Sequence, residues 1–183
     1  PIVSIAAGAV VAYVVGPYIA IFTEWLGNLI NINVDKHPFI GGIVISVSMG
    51  MFLTLPISSA AIGIMLGLSG LASGAATIGC CCQMVGFAVM SFKENKVGGL
   101  ISQGIGTSML QMPNIIRHPQ IWIPPILSSA ILAPVSTMVF KMVSNPVGSG
   151  MGTSGLVGQF SAYAVMVGVG THPATAVIQI MAC

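Results

Sequence analysis

Long stretches without a charged side chain constrain this chain more than any other feature. The run from Ile2 to Phe22 is uncharged and has about the length that crosses a bilayer. The run from Ile57 to Phe92 is too long for one crossing and too short for two with a loop. Charged residues make up 4% of the chain, against roughly 25% in an ordinary soluble domain. We therefore predict an all-α, polytopic integral membrane protein. Residues 1–183 should form a single membrane domain, itself part of a longer one.

Glycine and proline interrupt the apolar runs and predict where helices break. We expect a half-helix from about Ser58 to Leu66, a break at Leu68 to Gly70, and a span from about Leu71 to Phe92. The stretch from Val97 to Met112 is rich in glycine and polar side chains and ends at Pro113, which is typical of a broken or re-entrant helix. We predict about five or six full or partial crossings, at least one of which turns back, and polar loops at residues 31–38 and 114–120.

Charged residues are few and partly clustered. Lys93, Glu94 and Lys96 stand close together, and three charges at bilayer depth would cost several kcal/mol. We therefore predict an aqueous loop there, whose lysines favour the cytoplasmic side. Glu24 is either a solvated charge at a helix end or a buried functional acid. The net charge of +2 is too small to indicate nucleic acid as a partner.

Cysteine and histidine are the residue types that most often bind metals or carry redox chemistry. Cys80, Cys81 and Cys82 are consecutive in an apolar segment, and adjacent cysteines on a helix rarely form a disulfide. Packing of small buried side chains is the favoured interpretation, with a redox or metal role as the alternative. The histidines at positions 37, 118 and 172 each precede proline, which is typical of loops; proton coupling or ligand contact by His172 is the alternative. No catalytic motif, metal or cofactor is predicted.

One short pattern, Gly-x-Gly-Thr-Ser-x-Leu, occurs at residues 104–110 and again at residues 150–156, and a glutamine follows each copy. Paired glycine-broken segments in one membrane chain indicate a transporter's binding site. Glycine lets a ligand come close, and hydroxyl and amide groups form hydrogen bonds without a charge. Helix N-termini facing a cavity would suit an anionic or hydroxyl-rich solute. The alternative is tight helix packing through glycine, with local capping by Ser and Thr.

The two segments are expected to meet near the middle of the membrane and to line one polar cavity. Glycine at positions 106 and 152 would admit the solute, so Gly152→Val should abolish binding while the protein still inserts and assembles. Gln83 is either a contact between helices or a further ligand contact. The predicted solute-binding residues are Gly106, Thr107, Ser108, Gln111, Gly150, Gly152, Thr153, Ser154 and Gln159.

Several stretches of the chain resemble one family of membrane proteins. They are Thr54 to Ser58, Gly70 to Phe92 with its Cys-Cys-Cys-Gln-Met-Val-Gly core, Gly106 to Gln111, and Asn145 to Gln159. The chain is similar to the phosphotransferase-system (PTS) IIC-like proteins that include the PfoR-type toxin regulators of Gram-positive bacteria. The resemblance implies a helical, multi-pass permease of the bacterial plasma membrane with a sugar or a related solute as cargo. The Gly-Ile-Thr-Glu type motif of better-known sugar-transporting IIC proteins does not occur in the sequence.

We therefore predict a PTS EIIC-like permease that binds and translocates a small polar solute, such as a sugar. Any phosphoryl transfer would come from partner IIA and IIB proteins. The other expected partners are the lipid bilayer and, as an open question, a second copy in a homodimer. One alternative is a membrane-embedded solute sensor, of the toxin-regulator type, without net transport. Another is a structural or channel-like oligomer.

Overall fold

The computed structural model describes residues 2–182, without the side chains of residues 2–12, 14, 15, 19, 175, 179 and 182. This part of the chain is 84% helical and has no strand, which confirms the all-α prediction. The α-helices are α1 (Ile2–Lys36), α2 (Pro38–Thr54), α3 (Ser59–Met65), α4 (Gly70–Met90), α5 (Phe92–Ile101), α6 (Met112–Arg117), α7 (Ile123–Pro134), α8 (Pro146–Ser149), α9 (Val157–Gly168) and α10 (Pro173–Ala182). Shorter turns are π-helical at Ser102–Gly106 and Val135–Val139, and 3-10 helical at Ser108–Gln111, Pro119–Trp122 and Ser154–Leu156.

Helix α4 is the buried centre of the fold. Every residue from Ala72 to Met84 is buried, and most of them are small, so neighbouring backbones come very close. A Cβ atom on Gly79 would collide with the backbone of Ser46 in α2, and one on Gly74 would collide with the Met142 carbonyl. Small residues of this kind are what lets helices pack tightly where lipid replaces water.

Helices α2 and α4 run parallel to each other. Ser46 lies against Gly79, and one helical turn later Gly50 lies against Gln83. The residue numbers of the contacting positions therefore increase in the same direction along both helices. Two parallel helices cannot be joined by a tight turn. After α2 the chain must therefore return to the end of the bundle at which α4 begins.

The return is made by α3 and its two flanking linkers. The predicted half-helix is present, with α3 at Ser59–Met65, and α4 begins at Gly70, one residue before the expected start. Gly67 and Gly70 both have φ of +57°, a conformation that glycine adopts without steric cost. The predicted break therefore rests on these two glycines, while Gly63 has a different role and packs α3 against α8 at Ser149.

Helix α7 runs antiparallel to α2 and α4. Thr137, just beyond α7, donates through Oγ1 to the Pro38 carbonyl at the start of α2 (3.0 Å), and Gly86 near the end of α4 faces Pro125 in the first turn of α7. Apart from Glu24, the charged residues therefore fall at two opposite ends of the bundle. The Lys141 end carries Asp35, Lys36 and Lys141, and the Glu94 end carries Lys93, Glu94, Lys96 and Arg117.

Two helical stretches in the described part are long and apolar enough to cross a membrane, Gly70–Met90 and Pro119–Val139. Helix α2 is a shorter apolar helix of 17 residues. At 1.5 Å per residue α4 is about 30 Å long, which matches the hydrocarbon core of a bilayer.

The predicted loop at residues 31–38 is wrong, because α1 continues to Lys36. The Asn31 amide explains the extra turns: its Nδ2 donates to the Gly67 carbonyl (3.0 Å), and its Oδ1 accepts from the Ser69 amide (3.3 Å). Val34 is 1% exposed and packs on Gly41 of α2. Polar residues whose composition predicts a loop thus anchor the end of α1 to the linker before α4.

The charge cluster at residues 93–96 is also helical, in the first turn of α5, and not the loop predicted from its composition. Its three charged side chains are exposed. The helix is interrupted at Lys96, whose φ of +51° and ψ of −147° lie outside the helical region.

Candidate functional site

The first copy of the repeated pattern lies in a helical hairpin that starts and ends at the Glu94 end. We call this segment hairpin 1 (residues 97–117). It passes from α5 through the π-helical turn, an extended Thr107 and a 3-10 turn into α6. Glu94 before it and His118 after it border one cavity, so both arms reach the same end. Pro113 was expected to end this segment but lies in the first turn of α6, where a missing N–H costs least.

The second copy lies in a hairpin that enters from the opposite, Lys141 end. We call this segment hairpin 2 (residues 142–168). On the way in, the Ser73 hydroxyl donates to the Asn145 carbonyl (2.6 Å), and at its tip Thr153 reaches Met84. On the way out, Gly158 of α9 packs against Thr77. The chain therefore rises along eleven residues of α4, about 16 Å, and turns back.

The tips of the two hairpins meet beside α4 and are joined by two hydrogen bonds. The Thr153 hydroxyl donates to the Gly104 carbonyl, and the Ser154 hydroxyl donates to the Gly106 carbonyl (3.0 Å). The predicted approach of the two segments is thus confirmed. The hydroxyls expected to hold a solute are, in this conformation, bonded to the main chain of the other hairpin.

The tip of hairpin 2 has an unusual backbone. Gly152, Gly155 and Leu156 have φ of +51°, +54° and +59°. Leucine in the left-handed region is strained, and such residues cost about 1–3 kcal/mol and persist where the surroundings hold them. The tip is therefore held in place by its contacts with α4 and hairpin 1, and not by its own helical preference.

Gly150 and Gly152 bring hairpin 2 against protein backbone. The Gly150 carbonyl accepts from the Ser59 hydroxyl of α3 (2.6 Å). A Cβ on Gly152 would lie 2.7 Å from the carbonyl carbon of Cys80 and 2.9 Å from the amide nitrogen of Cys81. A valine at position 152 would collide with α4, so the expectation that Gly152→Val leaves assembly intact does not hold. A Cβ on Gly106, in contrast, would have nothing within 4 Å.

Thr107 and Ser108 both stabilise hairpin 1, the first within the hairpin and the second through a contact with α2. Thr107 caps the 3-10 turn by accepting from the Met109 amide at its Oγ1 (3.2 Å). The Ser108 and Thr54 hydroxyls lie 3.1 Å apart and are both buried, which ties hairpin 1 to the end of α2.

Gln111 belongs to a chain of three amide side chains. Asn114 donates to Gln111 Oε1 (2.9 Å), and Gln111 Nε2 donates to Gln103 Oε1 (2.9 Å). Gln103 is 3% exposed and Gln111 is 7% exposed. Because Gln103 directly precedes Gly104, this chain of amides runs from the tip of hairpin 1 towards the Glu94 end.

A polar cavity of about 270 Å³ opens at the outer end of this amide chain. We call it the Glu94 cavity. Its lining residues are Phe87, Met90, Ser91, Glu94, Gln111, Asn114, His118 and Ile121. Of the nine predicted solute-binding residues, Gln111 borders it. Gln159 instead borders an apolar groove of about 340 Å³ between α9 and α10. Its Nε2 lies 3.5 Å from Cys81 Sγ, and its buried Oε1 has no hydrogen-bond partner among the described residues.

Comparison with known families gives a match to the family described as phosphotransferase system, EIIC, over residues 1–183. The chain belongs to this EIIC family. The match confirms the resemblance drawn from the motifs, and it makes the chain a membrane protein with a PTS permease-type role. It leaves the PfoR-type subgroup open and does not favour the sensor alternative. Neither the curated proteins nor the solved structures compared with the chain gave a match.

Cys80 of this EIIC chain has a packing role in the structure. Cys80 is fully buried, and its thiol lies 3.5 Å from both the Met49 and the Ser149 carbonyl oxygens, where α2 and hairpin 2 approach α4. Within the described residues, no three His, Cys, Asp or Glu side chains are grouped as a metal ion would require. His172 is exposed between α9 and α10.

Sequence reasoning missed Ser91, Gln103 and Asn114 in this EIIC chain. Gln103 was seen only as one polar residue among several, although a buried amide in a membrane segment needs a partner. Gln83 shows the same need: its Oε1 accepts from Trp122 Nε1 (3.2 Å), and its buried Nε2 has no partner in the described part of the chain. The sequence signal that could have identified this part of the site is the group of amide side chains at positions 103, 111 and 114.

Proposed function

We propose that this EIIC chain is a multi-pass permease of the bacterial plasma membrane whose solute passes where hairpins 1 and 2 meet. One observation carries the proposal: two hairpins that enter from opposite ends meet beside α4, joined by the Thr153 and Ser154 hydrogen bonds. Non-helical backbone at membrane depth is tolerated where it faces protein or a polar passage. Interrupted helices of this kind form the substrate sites of many transporters.

The chemistry of the junction favours a small polar solute such as a sugar. Thr153 and Ser154 hold the junction through uncharged groups, so solute hydroxyls can replace these hydrogen bonds at little cost when the tips separate. In the proposed open state the two hydroxyls and the Gly106 carbonyl contact the solute directly. The other predicted site residues act around them: Thr107, Ser108 and Gln111 shape hairpin 1, and Gly150, Gly152 and Gln159 position hairpin 2.

The distribution of charge supports a membrane-spanning orientation. The charged ends are separated by α4 and by the stretch Pro119–Val139, the two helical stretches that could cross a bilayer. The Glu94 end carries three of the five lysine and arginine residues, Lys93, Lys96 and Arg117, and the Lys141 end carries the other two. The larger number favours the cytoplasmic side for the Glu94 end. Family membership supports IIA and IIB proteins as partners in a general way. We propose that they dock at this end. Homodimer formation stays a prediction.

Cysteines placed at the two ends should react from opposite sides of the membrane. Lys96→Cys and Lys141→Cys, each in a chain whose native cysteines are alanine, are expected to label with a membrane-impermeant maleimide from different faces of sealed vesicles. The reason is their separation by about 30 Å of apolar helix. A chain that keeps Cys80, Cys81 and Cys82 but has alanine at position 183 serves as the buried control and should not label. Labelling of both introduced cysteines from one face would contradict the orientation.

Removing the Ser154 hydroxyl should weaken uptake. Proteoliposomes with the soluble PTS proteins and phosphoenolpyruvate would be assayed with radiolabelled glucose and glucosamine. Ser154→Ala loses the hydrogen bond that the hydroxyl is proposed to form with the solute in the open state, worth about 0.5–1.5 kcal/mol, which predicts an uptake about two- to tenfold lower. Ser128→Ala is the matched control, because that hydroxyl donates to the Pro124 carbonyl on the exposed side of α7 (3.0 Å). Equal uptake by both variants would count against the junction, and no uptake by the unaltered protein against the permease.

A further inference from the structure

Gln83 of α4 has a fully buried amide that is hydrogen-bonded on its oxygen side only. Its Oε1 accepts from Trp122 Nε1 (3.2 Å), while its Nε2 has no partner among the described residues. We propose that Gln83 is a solute-binding residue whose Nε2 donates to a hydroxyl oxygen of the solute, and that Phe87 is the gate between Gln83 and the Glu94 cavity. This inference rests on the proposed permease function and adds a binding residue and a gate to it.

The orientation of the Gln83 amide follows from its neighbour. The indole Nε1 of Trp122 can only donate a hydrogen bond, so the amide oxygen must face the indole and the amide nitrogen must face away from it. A flipped amide would place two donors against each other. The unpartnered nitrogen is therefore a property of the site, and the group that it offers to a ligand is an N–H donor.

The packing around Gln83 does not require an amide. A Cβ on Gly50 would lie 2.8 Å from Gln83 Cγ and 2.6 Å from the Gly79 carbonyl oxygen, so α2 packs against the aliphatic part of the side chain. A buried donor without an acceptor is unfavourable, and an apolar side chain of the same length would fill this space without that cost. A ligand that brings an acceptor oxygen removes the cost, which favours binding at Nε2.

The hydrogen-bonded pair of Gln83 and Trp122 lies behind the wall of the Glu94 cavity. Phe87 and Ile121 line this cavity, whereas Gln83 and Trp122 do not. Gln83 precedes Phe87 by about one turn of α4, or about 6 Å, on the same face of the helix, and Trp122 directly follows Ile121. Phe87 is 1% exposed and closes this side of the cavity, so movement of its ring would join the cavity to the amide.

The Gln83 amide also lies at the depth of the hairpin junction. Met84, the next residue of α4, contacts Thr153 at the tip of hairpin 2, and a Cβ on Gly104 of hairpin 1 would lie 3.5 Å from Ala88 Cβ. A solute that passes Phe87 thus meets Gln83 within about one helical turn of the junction. An N–H donor needs an acceptor oxygen, and every sugar hydroxyl supplies one.

Removing the Gln83 amide should weaken sugar binding without weakening the fold. In a Trp122→Phe chain the amide has no remaining partner among the described residues, so Gln83→Met there removes an unpaired group and should not lower the melting temperature. Binding of glucose and glucosamine would be measured by calorimetry on the full chain in nanodiscs. Gln83→Met should weaken it about two- to tenfold. Gln120→Met in the same chain is the matched control and should bind as before, because Gln120 is exposed and outside the cavity lining.

Opening the gate should expose position 83 to water. In a chain whose native cysteines are alanine, Gln83→Cys should react slowly with a charged, membrane-impermeant methanethiosulfonate. Adding Phe87→Ala should raise the rate about tenfold or more. Phe87→Leu, a smaller truncation, should give an intermediate rate and keeps the test if the alanine variant does not fold. Phe52→Ala, a truncation of the same size in α2 that does not border the cavity, should leave the rate unchanged.

Several outcomes would overturn the inference. They are unchanged sugar binding in Gln83→Met, binding of neither sugar to the unaltered protein, an equal loss in Gln120→Met, and a lower melting temperature in Gln83→Met, which would mean that the amide holds a structural water. A reaction rate at position 83 that neither Phe87 variant raises would overturn the gate. If binding does not depend on position 83 while Ser154→Ala still lowers uptake, the Gln83 site is wrong and the permease stands. If binding depends on Gln83 while no uptake occurs, the site binds as proposed and the permease is wrong.

Discussion

Gly152→Ala is expected to prevent stable packing of this EIIC chain, although it adds a single methyl group. The new Cβ would lie 2.7 Å from the backbone carbon of Cys80, and backbone in the central helix cannot turn aside as a flexible side chain can. Position 152 also has φ of +51°, which costs a residue other than glycine about 1–2 kcal/mol. Overpacking adds about 1–3 kcal/mol. The sum is a large part of a typical unfolding free energy of about 5–15 kcal/mol.

Gly106→Ala is the matched control for Gly152→Ala. Both glycines occupy the same place in the repeated pattern, but the space around Gly106 is open and its φ is not in the left-handed region. We expect Gly106→Ala to elute as one sharp peak in detergent and to melt within a few degrees of the unaltered protein. Gly152→Ala should aggregate or melt far lower. Similar melting of the two variants would show that contact with α4 is not what requires glycine at position 152.

The sequence predicted the breaks in the helices better than their connections. Gly67 and Gly70 mark the turn before α4 because their backbone conformation is one that only glycine adopts readily. The extension of α1 could not be predicted, because Asn31 bonds to a carbonyl that lies 36 positions further along the chain. Asparagine in a short polar run is typical of a loop, and only the folded structure shows the hydrogen-bond partners that hold Asn31 in a helix.

The repeated pattern predicted that two segments meet, but not what their side chains do there. Thr153 and Ser154 bond to main-chain carbonyls of Gly104 and Gly106, and every residue carries such a carbonyl, so no sequence motif marks it. The Glu94 cavity was missed for a related reason. Its amides sit on a π-helical turn, a 3-10 turn and a short helix, where neither the 3.6-residue nor the 2-residue period applies.

Bridging the two hairpin tips should stop transport. In a chain whose native cysteines are alanine, Gly106→Cys and Ser154→Cys would place two thiols at the junction. Ser154 Oγ lies 3.0 Å from the Gly106 carbonyl, and a Cβ at position 106 has open space around it, so both thiols can bind one mercuric ion. If the solute passes between the tips, a bridge that holds them together blocks the passage, and the expected loss of uptake is more than about tenfold.

The controls separate this block from damage by the substitutions. Each single cysteine variant should keep, in the presence of mercuric ion, most of the uptake that the same variant has before the ion is added, since one thiol cannot form the bridge. A chain with Gly106→Cys and Ser128→Cys carries two thiols, but Ser128 is on the exposed side of α7, and it should also continue to transport. Dithiothreitol should restore uptake in the Gly106→Cys, Ser154→Cys chain by removing the metal.

Uptake of radiolabelled glucose and glucosamine by that double-cysteine chain, before mercuric ion, after it and after dithiothreitol, tests most directly whether two opposed hairpins form the solute pathway. The structure predicts transport, a block and recovery. Continued uptake while mass spectrometry shows the two cysteines bridged by mercury would contradict the pathway, and failure of the two cysteines to bridge would contradict the meeting of the hairpins.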